Sequence, residues 1–171
     1  MKKLAALLLV LVLVFSFAAC GQTPDAGGEN GGDSAAKDEP GYSFTVKGVK
    51  VEMGVLAKDV IDALGEPAQY NESASCAFEG LDKTYGYGGY IITTYPDGDK
   101  DYILSARFVD DSVTTEEGIY IGSTKADVEK AYGADCFEDD STASLKKGNT
   151  ELLIFLEDGA VVEIQYQAIV D

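Results

Sequence analysis

The sequence predicts an α+β domain made of two tandem repeats, each a short helix followed by about three antiparallel strands, packed as a two-layer sandwich with one sheet face open. Three observations carry that expectation. The segments "GVLAKDVIDALGEP" from Gly54 and "GSTKADVEKAYGAD" from Gly122 agree at Gly54/Gly122, Asp59/Asp127, Val60/Val128, Ala63/Ala131 and Gly65/Gly133, where ordinary composition gives about one match. Each is followed by alternating runs around a hairpin turn, Pro96-Asp97-Gly98 in the first copy and Asp158-Gly159 in the second. Neither half is long enough for a comfortable core alone, so the two are expected to share one.

The elements follow in order. Lys2 and Lys3 precede an apolar run over residues 4–17 and the small residues Ala18 and Ala19, the build of an export signal. The run is shorter than the roughly 20 residues that span a bilayer, so a permanent membrane helix is not expected. Phe17-Ala18-Ala19-Cys20-Gly21 resembles the lipobox of bacterial lipoproteins. That resemblance implies that Cys20 becomes the lipidated first residue of the mature chain, on the extracytoplasmic face of the cell membrane. Plain secretion with cleavage near Ala19 is the alternative. Residues 21–41, "GQTPDAGGENGGDSAAKDEPG", are rich in Gly, Pro and acids and lack a hydrophobic period, so they read as a disordered tether with a reach on the order of 25 Å.

Repeat one is placed at 42–113 and repeat two at 114–171. "YSFTVKGVKVEM" alternates β-branched and polar residues and reads as one or two short strands. Leu56, Val60, Ala63 and Leu64 mark one face of a helix over about 56–64, stopped by Gly65 and Pro67; Thr124 and Asp127 form a capping pair for a helix over about 124–132, stopped by Gly133. In the closing strands, alternation sets Tyr102, Leu104, Ala106 and Phe108 against Ser105 and Arg107, and Val162, Ile164 and Tyr166 against Glu163, Gln165 and Gln167. The repeated helix motif "G-x-x-x-x-D-V-x-x-x-[LY]-G" and its setting resemble the β-lactamase-inhibitor-protein-like (BLIP-like) fold and the BamE/SmpA-type envelope lipoproteins. That resemblance implies a binding module or inhibitor without catalytic residues, and it names no partner.

Composition excludes several functions. The chain has 30 acidic and 13 basic residues, a net charge of −17, and a field of that sign repels nucleic acid and anionic lipid head groups. With no histidine, neither a Ser/His/Asp or Cys/His nucleophile nor the commonest zinc sites can be assembled. Cys76 and Cys136, an even pair on an exported chain, are a candidate disulfide closing about 60 residues, with two small buried thiols as the alternative. Asp97, Asp99 and Asp101 have the alternate spacing of a calcium loop, but Tyr102 and Phe108 stand where that loop needs Gly and Glu, so a charged hairpin turn is the better reading. No catalytic residue, metal or cofactor is expected.

The expected contact surface is "KTYGYGGYIITTY", where Tyr85, Tyr87, Tyr90 and Tyr95 are interleaved with glycine. Tyrosine offers amphipathic contact area at low entropic cost, as recognition surfaces require; alternate tyrosines on a strand also serve as core and cross-strand cover. The expectation is a lipid-anchored, non-catalytic protein-binding module, with inhibition among its uses and a basic partner favoured by charge. The alternatives are a carbohydrate or cell-wall binding module and, further off, a small carboxylate-dependent hydrolase, for which the lack of tryptophan leaves only tyrosine to stack on sugar.

Overall fold

The computed structural model describes residues 39–170, all within the unit Ser34–Asp171. The expected export signal, Cys20 and the expected tether as far as residue 38 lie outside the described residues.

The described chain opens with a hairpin, β1 (Ser43–Val46) and β2 (Val49–Glu52). Its two turn residues, Lys47 and Gly48, both have positive φ, 52° and 79°, the geometry that matches the twist of a two-residue hairpin. Helix α1 (Ala57–Leu64) follows, then β3 (Gln69–Ala74), β4 (Leu81–Gly86), β5 (Tyr90–Asp97) and β6 (Lys100–Phe108). After a long connection come α2 (Lys125–Tyr132), a single 3-10 turn (Ala134–Cys136), β7 (Thr142–Lys147), β8 (Thr150–Glu157) and β9 (Ala160–Ala168).

The expected pair of helix-plus-strand repeats in a two-layer BLIP-like sandwich is corrected here. The described chain is mostly β: seven strands form one antiparallel sheet in the order β3-β4-β5-β6-β9-β8-β7, and β1-β2 form a second. Four strands follow α1 and three follow α2, and the β1–β2 hairpin has no counterpart before α2. Two physical reasons stand behind the difference. Strands β6 and β9 pair directly, Ser105 with Gln167 through Phe108 with Ile164, because a strand left unpaired exposes a row of backbone donors and acceptors. The helices, eight residues each, are also too short to cover seven strands, and the hairpin supplies Phe44, Val51 and, just beyond it, Met53 as further cover, all buried.

Where the matched segments do agree is local. Gly54 N–H donates to Ile103 O and Ile103 N–H to Val55 O; Gly122 N–H donates to Val161 O and Val161 N–H to Ser123 O. Each lead-in to a helix is thereby fastened to a closing strand. Both closing strands carry a bulge just past that point: Leu104 has no partner between Thr93/Ser105 and Thr94/Ile103, and Val162 has none between Phe155/Glu163 and Leu156/Val161. An unpaired extra residue moves everything beyond it to the opposite face. The strict alternation expected for β6 therefore fails at its start: Ile103, Ala106 and Phe108 face the core, while Tyr102 pairs with Tyr95 on the other face.

The core lies between this sheet and the hairpin and helices. Tyr90 and Ile92 of β5, Leu152 and Ile154 of β8, and Ile164 and Tyr166 of β9 are buried there. Phe44 stands at its centre, with ring centroids 5.0 Å from Phe108, 5.2 Å from Tyr166 and 6.0 Å from Tyr90.

Helix α2 begins with a reciprocal cap: Asp127 N–H donates to Thr124 Oγ1 at 3.2 Å, and Thr124 N–H donates to Asp127 Oδ2 at 2.9 Å. Thr124→Ala is expected to lower stability by about 1 kcal/mol in urea melts near neutral pH. Hydrogen bonds from Thr124 hold the Asp127 carboxyl below the usual range. A depressed carboxyl contributes stability above its unfolded-state value and loses it as pH falls through the folded value, so the Thr124→Ala deficit should shrink in strong acid. In α1 the same position is Leu56, which makes no cap hydrogen bond.

Candidate functional site

The four tyrosines expected to form one contact surface are divided among three settings. Tyr90 is 2% exposed and stacks on Tyr87 at 5.1 Å; neither hydroxyl has a hydrogen-bond partner among the described residues. Burial pushes the Tyr90 hydroxyl up to about 12. Tyr85 lies on the helix side of β4, paired across to Ile92, with its ring 5.1 Å from that of Tyr70. Tyr95 lies on the opposite face, between Phe78 at 4.7 Å and Tyr102 at 5.7 Å. The glycines between them serve the fold: Gly88 has φ of +86°, and a Cβ on Gly89 would come within 2.1 Å of Ser112 Oγ.

Cys76 and Cys136 are both free, the first exposed and the second buried, which corrects the candidate disulfide. Cys76 lies in the loop between β3 and β4, and Cys136 in the turn packed by β7, at the opposite edge of the sheet. Six strand spacings of about 4.8 Å separate those edges, far beyond the Cα separation a disulfide bridges. Burial, reinforced by Glu129 and Asp135, raises the Cys136 thiol. Of the three alternating aspartates, Asp101 is held by Lys83 at 2.6 Å, and Asp97 and Asp99 are exposed on the β5–β6 turn.

Two surfaces remain as candidates. The first is the sheet face away from the helices, where β5 and β6 present Thr93, Tyr95, Tyr102 and Arg107 and β8 and β9 continue it with Leu153, Phe155, Gln165 and Gln167. Most are half-buried by one another, and no helix or strand of the described residues packs over them.

The second surface is a cleft of about 440 Å³ on the helix side, between α1 and the β5–β6 hairpin. Leu56, Ile61 and Tyr85 give it an apolar lining, and Asp59, Asp62, Asp99 and Asp101 outnumber Lys58 and Lys100 around it. Lys58 pairs with Asp62 and Lys83 with Asp101; Asp59 and Asp99 have no ion-pair partner among the described residues. Beyond Tyr85, toward the sheet edge, Tyr70 is 51% exposed and its hydroxyl donates to Glu72. Tyr85, Asp99 and Asp101, which line this cleft, stood out in the sequence by type or spacing, but their meeting with α1 and the strand edge beside them went unread.

The chain matches no protein-family model, no curated protein and no solved structure.

Proposed function

We propose that this chain is a lipid-anchored, extracytoplasmic binding module that recognises another protein without catalysing a reaction. The observation that carries the reading is the wide sheet face with no described element over it. It mixes half-buried aromatic and aliphatic side chains with Thr, Gln and Arg, the balance of a reversible protein interface rather than of a core. The net charge of −17 favours a basic partner and speeds encounter with it. Acylation of Cys20, supported by the lipobox-like residues before it, holds the module at the membrane. The carbohydrate alternative draws less support, because Tyr95 has Phe78 on one side and Tyr102 on the other, leaving its ring faces no room for a sugar. The hydrolase alternative also draws less, since Asp62 and Asp101 beside the cleft are each paired with a lysine.

The experiment places a photo-crosslinking residue at Tyr102, Leu153 or Gln165, and at exposed Lys130 on α2 as the control, in the full chain in its own membrane. A discrete protein adduct from the first three positions and none from Lys130 is the expected result. Adducts that do not differ between the sheet face and Lys130 would refute the reading. Intact-mass measurement of the N-terminal peptide tests the anchor, and Cys20→Ala should move the chain to the soluble fraction.

A further inference from the structure

The two edges of the seven-stranded sheet are finished differently. Along β7, Phe137 bridges to Ala143, Glu138 N–H donates to Thr142 O, and Lys146 and Lys147 close the strand. Cover and lysines are the usual protection of an edge. Strand β3 has neither. All six of its residues, Gln69–Ala74, are exposed; it pairs with β4 without a register shift, and it contains no proline or lysine. No described strand pairs with its outer side. A straight, unprotected edge is a template for one more strand.

The side chains beside that edge indicate what the strand carries. On the helix side, Tyr70 and Glu72 lead past Tyr85 into the cleft with its excess of carboxylates. Leu56, 41% exposed, borders the same cleft where α2 uses a capping threonine. On the other side, Gln69, Asn71 and Ser73 are polar and uncharged. A second copy of this chain is a poor occupant: both copies carry −17, and antiparallel β3–β3 pairing sets Glu72 near its own copy, a repulsive arrangement.

We infer that the free edge of β3 docks an extended, basic segment of the partner protein. The segment adds to the sheet as a further strand and lays its cationic side chains over Tyr70 and Tyr85 toward Asp59 and Asp99. Main-chain hydrogen bonds to β3 provide general affinity, and the aromatic rings and carboxylates select alternate Lys or Arg. This inference rests on the protein-binding reading above and names the chemistry of the partner.

The test uses the full chain in detergent micelles and fluorescence anisotropy of a labelled eight-residue peptide alternating Arg with Thr. The peptide is expected to bind, and binding should weaken as salt rises. Its Glu-for-Arg counterpart should not bind, and a version N-methylated at every residue, which keeps the charge but has no N–H to offer an edge, should bind about tenfold more weakly or worse. In the chain, neighbouring strand residues point their N–H groups to opposite sides, so one of Asn71→Pro and Glu72→Pro removes an outward donor and leaves the β4 pairing intact. That variant should stay folded and lose binding by a similar factor, and Asp59→Asn with Asp99→Asn should weaken it several-fold. Equal binding of the N-methylated peptide, equal binding of the Glu peptide, or a wild-type dimer that the proline variant dissociates would each overturn the inference. Should the edge fail these tests while the sheet face still crosslinks a discrete protein, only the docking mode is lost; failure of both removes the protein-binding reading too.

Discussion

Phe44→Ala is expected to cost about 3–5 kcal/mol in equilibrium urea unfolding, a large share of the about 5–15 kcal/mol that holds a typical domain together. Phe44 is fully buried and its ring meets those of Phe108, Tyr166 and Tyr90, so truncation leaves a cavity walled by three large side chains on strands that cannot move inward. The residue belongs to the β1–β2 hairpin, a separate sheet from the seven-stranded one; apart from the backbone bonds of Gly54 and Val55 to Ile103 just past it, its side chains are what attach it. Phe44→Leu, which keeps most of the volume, should cost far less. A loss below about 1 kcal/mol for the alanine variant would mean that the hairpin is an appendage to the core rather than a part of it.

Tyr90→Ala should be comparably severe, again about 3–5 kcal/mol, whereas Tyr95→Ala, five residues along the same strand, should cost about 1 kcal/mol. The difference follows from the pleat. Tyr90 faces the core beside Phe44, and Tyr95 faces outward in a row with Phe78 and Tyr102. Thermal melts of the two variants side by side decide the matter. Equal losses would make the outer aromatic row a second core and remove it from any contact surface.

The sequence made some of this legible. Alternation in residues 90–96 and 150–156 marks strands buried on one face, Asp158-Gly159 marks the second turn, Pro96-Asp97-Gly98 marks the first to within a residue or two of its place at Gly98-Asp99, and Gly65 and Gly133 mark where the helices stop. The bulges at Leu104 and Val162 left no such trace. A bulge is a choice of backbone register that any side chain tolerates, and a two-residue period read through it assigns Tyr102 to the wrong face. Strand β3 was equally silent: "QYNESA" has no apolar alternation because neither of its faces is covered. Alternation reports burial and hydrogen bonding builds sheets, so an edge strand exposed on both faces is the element a hydrophobic pattern misses. The candidate site shared that fate. The tyrosines stood out by type, but which of them reach the surface depends on strand pairing, which composition does not encode.

The seam between β6 and β9 sets the order in which the chain becomes whole. Strand β9, residues 160–168, lies between β6 and β8, so the middle of the sheet is completed only after every other described strand has been made. Until then β6 lacks a neighbour drawn from more than fifty residues downstream, and closing so distant a pair is slow. A polypeptide of this design stays threadable until its C-terminal strand arrives, which suits the export proposed for it: rigidity would come only after passage.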